Sequence, residues 1–246
     1  MGTPEFDIDG MFDADYLHFM AKRLGAVRSN NEVDLIQRLV APEPGAAILD
    51  LCCGHGRLTN RLAARGHRVT GLDVTALFLD RARADAAALG VAPEYVLGDM
   101  KDLPWTGRFD LVVNWFTAFG YFDDDGNKRV LAEVARALRP GGRFVLDLNN
   151  YTAVLNTYQH TTATERDGDL LIDRGRLDPL TGRQIVERTL IRGDTVRRAR
   201  WFVRMFTFPE LRDWLLDAGF GKVDGYGEDC EPLAFAHRRM IVVAQR

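Results

Sequence analysis

Cysteine is scarce in this chain of 246 residues: the three are Cys52, Cys53 and Cys230, two adjacent and none in a C-x-x-C pair. That spacing excludes a disulfide framework and a thiolate zinc cage, and fits free thiols in a reducing compartment. Five scattered histidines form no metal-binding tract, so no metal site is expected. A surplus of one charge is missing too, with 32 Lys and Arg against 35 Asp and Glu and a net charge of -3. Without clustered basic residues to meet phosphates, no nucleic-acid partner is expected. No apolar run reaches the roughly 18 residues of a membrane span, and no basic-then-apolar leader stands at the start. The expectation is a cytoplasmic protein with no membrane partner. At 46% apolar and 27% charged residues, the chain has material for one sizeable core. Residues 1–6 (MGTPEF) read as a cloning remnant, which leaves residues 7–246 as a single domain.

The N-terminal helical region spans residues 11–45. Leu17, Met20, Ala21 and Leu24, then Val33, Ile36, Leu39 and Val40, recur at helical spacing until Ala41-Pro42-Glu43-Pro44-Gly45 stops the run. Beyond it, short apolar stretches read as buried strands: Ala47–Cys52, Arg68–Leu72, Glu94–Leu97, Phe109–Asn114 and Arg143–Leu148. Leu58–Arg65, Ala76–Leu89 and Asn127–Leu138 between them read as helices, and this alternation means a parallel sheet with helices on both faces. The acidic run Asp123-Asp124-Asp125 reads as a solvated helix entry. Between about residues 151 and 207 the pattern changes. Turn signals at Asp167-Gly168, Thr181-Gly182 and Gly193-Asp194 separate β-rich stretches, which predicts an inserted antiparallel meander. Its arginines (Arg188, Arg192, Arg197, Arg198, Arg200) read as a solvated face. A helix over Phe208–Ala218 and strands near Lys222–Tyr226 and Arg239–Ala244 close the chain.

Four motifs fall at the carboxyl ends of the predicted strands, where open parallel sheets bind ligands. The first, Asp50-Leu51-Cys52-Cys53-Gly54-His55-Gly56, is a carboxylate followed by a Gly-x-Gly turn into a helix. Glycine lets the backbone approach a ligand closely, and the helix start presents free N–H groups. The second is Asp73, 17 positions after Gly56, placed to accept ribose hydroxyls. Gly98-Asp99-Met100 brings a third carboxylate to the same edge, able to accept from an adenine amino group, and Asn114-Trp115-Phe116-Thr117 is the fourth. A dehydrogenase fingerprint would require a glycine three places after Gly56, where Thr59 stands. Cys52 and Cys53 read as small buried residues rather than nucleophiles.

With these motifs the chain resembles the class I S-adenosylmethionine-dependent methyltransferases from about residue 13 to its end: DLCCGHG, GLDV, GDM, LRPGGRFVLDL, FTFPELRDWLLDAGF and RRMIVVAQ are similar to the family's motifs. Cys52 stands where many members carry a first glycine. NWFTAFGYFDDDGNKRVLAEVARALRPGG resembles a subgroup acting on small molecules. The resemblance implies a Rossmann-like, doubly wound α/β fold, its seven-stranded sheet mostly parallel with a C-terminal antiparallel hairpin. It implies S-adenosyl-L-methionine as cofactor and a small-molecule methyl acceptor. Asp50, Cys52, Gly54 and Gly56 would surround the methionine part, Asp73 would hold the ribose and Asp99 with Met100 the adenine, with Val74 a further cofactor contact. Asn114 and Phe116 would lie near the sulfonium, and Tyr16 and Arg28 would cap the cofactor carboxylate. Tyr121, His160 and His237 are the candidate substrate contacts.

The acceptor atom stays open between oxygen, nitrogen and carbon. An RNA or protein substrate, or a repurposed member that binds the cofactor without methyl transfer, are the alternatives. The meander is expected over the carboxyl edge as a lid, with Tyr151, Tyr158 and Trp201 setting specificity, or as a homodimer surface.

Overall fold

The computed structural model describes residues 7–246, so the expected remnant at 1–6 lies outside the described residues. Two short helices open the chain, each started by an aspartate. Asp7 caps α1 (Ile8–Met11) by accepting the Gly10 N–H at 2.9 Å, and Asp13 caps α2 (Ala14–Met20) by accepting that of Tyr16 at 3.0 Å. Helix α3 (Ala26–Val40) ends where Ala41 turns left-handed, at φ 33°, just before Pro42.

There follow β1 (Ala47–Leu51), α4 (Thr59–Ala64), β2 (Arg68–Asp73), α5 (Ala76–Ala88), β3 (Glu94–Leu97), β4 (Phe109–Asn114), α6 (Asp124–Ala137) and β5 (Leu138–Asn149). The C-terminal part supplies α8 (Phe208–Asp217), β10 (Lys222–Tyr226) and β11 (Arg239–Gln245). These strands form one seven-stranded sheet in the order β10-β11-β5-β4-β1-β2-β3. Strands β1 to β5 are parallel, while β11 runs antiparallel to β5 and pairs with β10 as a hairpin. The fold is the α/β one that the alternation predicts, and it is Rossmann-like as the resemblance implies.

Strand β1 sits centrally, with Ile48 opposite both Val69 and Leu111. Its alternate residues enter two cores. Leu49 and Leu51 pack with Val112, Phe144 and Leu146 beneath α6 and α8, whereas Ile48 packs with Val113 and Val145 beneath α3 and α4. Ile48, Leu49 and Leu51 are fully buried, and each such side chain contributes about 1.5–3 kcal/mol through lost water contact. A sheet buried on both faces holds the strand ends rigidly, and the candidate site is built on those ends.

Two boundaries differ from expectation. Strand β5 begins at Leu138, because Leu138 already pairs with Phe109 before a register shift absorbs the Pro-Gly-Gly segment. Helix α7 (Tyr151–Asn156), capped by Asn150, occupies what was expected to be the first part of the meander. Six residues are too few for helical periodicity to show.

The meander itself is a separate four-stranded antiparallel sheet: β6 (Thr161–Arg166), β7 (Asp169–Asp178), β8 (Arg183–Arg192) and β9 (Thr195–Arg204). Asp167 and Gly168 both adopt positive φ in the β6–β7 turn, the backbone that a tight hairpin requires. One face covers α1 and α2: Leu171 and Leu190 pack on Phe19 and Met20. Of the arginines, Arg188 corrects the expectation of a solvated face, while Arg192, Arg197, Arg198 and Arg200 are exposed as expected. Arg188 is buried and bidentate to Asp173 at 2.8 and 2.7 Å, Arg192 bridges Asp15 and Asp169, and Arg197 pairs with Asp13 and Asp15. Arg192 and Arg197 make their ion pairs while exposed, and Arg198 and Arg200 have none among the described residues. Among the described residues no helix is long and apolar enough to cross a membrane.

Candidate active site

The turn leaving β1 is bent by positive φ at Cys52 (62°), Gly54 (55°) and Gly56 (72°). Cys53 N–H bonds the Leu72 carbonyl at 3.0 Å, which locks the turn to β2. Asp73, at the tip of β2 and 8% exposed, accepts from Gly54 N–H on Oδ2 at 2.8 Å and from Thr75 N–H on Oδ1 at 2.9 Å. The two glycines serve different ends. A Cβ at Gly54 would meet only the Phe78 ring edge, at 4.0 Å, and would stand in open space. One at Gly56 would come within 2.3 Å of the Tyr95 hydroxyl and 2.8 Å of the Ala82 side chain, so Gly56 is demanded by packing.

The open space is a cleft across the carboxyl ends of β1 to β4, about 1010 Å³ with the solvent of its mouth included. On its strand side stand Asp50, Cys52, Gly54, Asp73, Val74, Asp99 and Met100. Opposite are Phe12 and Tyr16 from the N-terminal helices and Trp115, Phe116, Tyr121 and Phe122 from the segment after β4. Phe12 meets Tyr16, Phe78 and Tyr121 edge-on at centroid distances of 5.4, 6.3 and 5.9 Å, an aromatic wall from three parts of the chain.

Burial dominates the electrostatics. It raises the Asp50 carboxyl to about 6, against the pull of the Thr59 hydroxyl that donates to it at 2.6 Å and of Arg57. Burial likewise pushes the phenols of Tyr16 and Tyr121 and the thiols of Cys52 and Cys53 upward. It lowers His55 to about 4, with Arg57 adding to the effect.

Of the residues singled out in the sequence, Tyr16, Asp50, Cys52, Gly54, Asp73, Val74, Asp99, Met100, Phe116 and Tyr121 surround the cleft. Arg28, Gly56 and Asn114 stand beside it. Arg28 pairs with Glu32 at 2.8 Å and lies 4.9 Å over the Phe116 ring, and Asn114 ties down the end of β1 by donating to the Leu51 carbonyl at 3.0 Å. His160 and His237 lie outside it. His160 packs edge-on against Tyr158, while His237 is latched within its own loop, Nε2 3.1 Å from Asp229 and Nδ1 accepting from Ala234 N–H at 2.9 Å. Tyr151, Tyr158 and Trp201 do not line this cleft either.

Phe12, Phe78 and Arg57 were not singled out. Arg57 is 8% exposed, pairs with the half-buried Glu32 and lies 5.5 Å from the Phe116 ring centroid. Its signal was available, since it directly follows the Gly-x-Gly turn. Phe12 and Phe78 carry none, because only the docking of α1 and α5 brings them to the cleft.

Residues 48–142 match the model of the methyltransferase domain. The chain is 29% identical over 216 residues to the cypemycin N-terminal methyltransferase of a Streptomyces species, covering 83% of this chain and 85% of that one. Its fold is that of an S-adenosylmethionine-dependent methyltransferase from Clostridium acetobutylicum, with a TM-score of 0.79, 18% identity, and 94% and 96% of the two chains covered. CalS10 from Micromonospora echinaspora, an amino pentose methyltransferase solved with S-adenosylmethionine bound, superposes over 100% of both chains at a TM-score of 0.65 and 19% identity.

Proposed function

We propose that this chain, which belongs to the S-adenosylmethionine-dependent class I methyltransferases, methylates the amino nitrogen of a small molecule. One observation carries the reading: three strand-end carboxylates and a glycine turn share a single cleft with a wall of aromatic rings.

The strand side fits an adenosyl group. Gly54 leaves clear the space that a Cβ would take, and each Asp73 oxygen accepts one backbone N–H, leaving lone pairs for hydroxyl donors. In this reading Asp73 holds the ribose, Asp99, Met100 and Val74 hold the adenine, and Asp50, Cys52 and Gly54 adjoin the methionine part. S-adenosylmethionine is the cofactor and, when bound, supplies a methyl group made electrophilic by the positive sulfur.

The remaining work falls to the chain's own residues. Phe12, Tyr16, Phe116 and Tyr121 exclude water and orient the acceptor, and alignment of two reactants removes about 7–11 kcal/mol of barrier. Removal from water in the cleft disfavours the ammonium form of an amine and keeps its lone pair available. An amine delivered neutral needs no base, and the cleft's phenols are held protonated while its imidazole is lowered to about 4. The name of one relative, an N-terminal methyltransferase, supports nitrogen as the acceptor.

The test is a panel of matched acceptors differing only in amine or hydroxyl, incubated with S-adenosylmethionine and followed by mass spectrometry. Addition of one methyl to amines is expected. Turnover confined to hydroxyl acceptors defeats the nitrogen reading, and absence of S-adenosylmethionine binding in calorimetry defeats the role given to the cleft.

A further inference from the structure

The chain leaves β4 through two successive non-glycine residues in the left-handed region, Phe116 at φ 65° and Thr117 at φ 60°. For a β-branched residue this backbone is strained and persists only where its surroundings dictate it. The surroundings here are chiefly one aspartate, through its carboxylate and its main-chain carbonyl. Asp147, near the end of β5 and 2% exposed, accepts the Phe116 N–H on Oδ2 at 2.8 Å, and its main-chain carbonyl accepts the Thr117 N–H at 2.9 Å. Arg239, the first residue of β11, grips the same carboxylate from Nε at 2.8 Å and Nη2 at 2.6 Å. Its Nη2 also donates to Thr117 Oγ1 at 3.0 Å.

The pair is not needed to join its strands. β5 and β11 are already in register from Arg239 opposite Asn149 to Gln245 opposite Arg143. The turn at 116–117, by contrast, has both of its N–H groups committed to Asp147. What the turn delivers is the Phe116 ring, which lines the cleft and has the guanidinium carbons of Arg23, Arg28 and Arg57 at 5.3, 4.9 and 5.5 Å from its centroid. A relaxed φ at Phe116 would move the ring and the seat of all three cations together.

We infer that Asp147 and Arg239 are positioning residues: they hold Phe116 and Thr117 in the left-handed turn and thereby set the wall of the cleft on which cofactor affinity depends. The inference rests on the proposed occupant only for its binding readout, since the turn itself can be followed without any ligand.

The experiment compares the wild-type chain with Asp147→Asn, Arg239→Lys and the double variant Asp147→Asn/Thr117→Gly. Amide exchange at Phe116 and Thr117 is measured without ligand, and S-adenosylmethionine is titrated by calorimetry. Asp147→Asn is expected to speed both amides and weaken binding by about tenfold, the scale of losing a hydrogen bond to a charged acceptor. Arg239→Lys, which keeps the charge but not the fork, is expected to shift both readouts the same way, and it decides the matter if Asp147→Asn does not fold. Adding Thr117→Gly, which carries no left-handed penalty, is expected to recover much of the lost affinity. Faster exchange with unchanged affinity, or failure of the glycine to rescue, overturns the inference. A wild-type chain that fails to bind S-adenosylmethionine overturns the occupant instead, and exchange at the two amides then decides whether the clamp holds the turn.

Discussion

Replacing Asp50 by asparagine converts the burial of one carboxyl into a measurable pH effect. Asp50 is 2% exposed, and burial lifts it from 3.8 to about 6 in spite of the Thr59 hydrogen bond. A proton bound more tightly by the folded chain than by the unfolded one stabilises the fold at low pH. The stabilisation is complete below 3.8 and is lost as pH rises through about 6. The loss is about 1.4 kcal/mol per pH unit within that window and about 3 kcal/mol in total. Asparagine retains an acceptor for Thr59 but does not titrate, and its extra N–H donors add an offset that does not vary with pH. Urea unfolding of both proteins is therefore read as a difference at each pH. Between about pH 4 and about pH 7 that difference should move by about 2–3 kcal/mol in favour of the variant. A difference that stays flat over the range refutes the assignment of a raised pKa to Asp50 and with it the picture of a dry floor to the cleft.

Other outcomes follow from the same geometry. Gly54→Ala places a methyl group in the cleft at φ 55° and should weaken S-adenosylmethionine binding by about tenfold or more in calorimetry, beyond its cost of about 1–2 kcal/mol in stability. Gly56→Ala should do the reverse, because its Cβ would collide with Tyr95 and Ala82: a loss of about 1–3 kcal/mol in denaturant unfolding is expected. Arg57→Ala leaves the half-buried Glu32 with Arg28 as its remaining partner and should cost about 1.5–3 kcal/mol in the same measurement. His237→Ala should leave cofactor affinity and methyl transfer within about twofold of wild type, a change of under 1 kcal/mol, since its ring is engaged with Asp229 and Ala234 outside the cleft.

Much of this molecule is legible along the chain because its signals are local. The apolar runs of β1 to β4 and the turn residues at Asp167-Gly168 act within a few positions, and the observed strands begin and end within a residue of where those signals put them. The carboxylates of Asp50, Asp73 and Asp99 are legible too, since a parallel sheet brings its strand ends to one edge whatever the loops do. Helix α7 was not, being shorter than two turns. Nor was the engagement of Arg188, Arg192 and Arg197, because a charged residue in a strand looks the same in sequence whether it faces water or an aspartate on another element.

The sequence by itself determined the layered α/β architecture and the acidic edge of the sheet, because periodicity and turn chemistry depend on near neighbours. Tertiary structure alone decided which aromatics close the cleft, which histidines stay out of it, and how one buried aspartate on β5 bends the segment that follows β4. Those contacts join positions far apart in the chain, and only the packed sheet brings them within reach of one another.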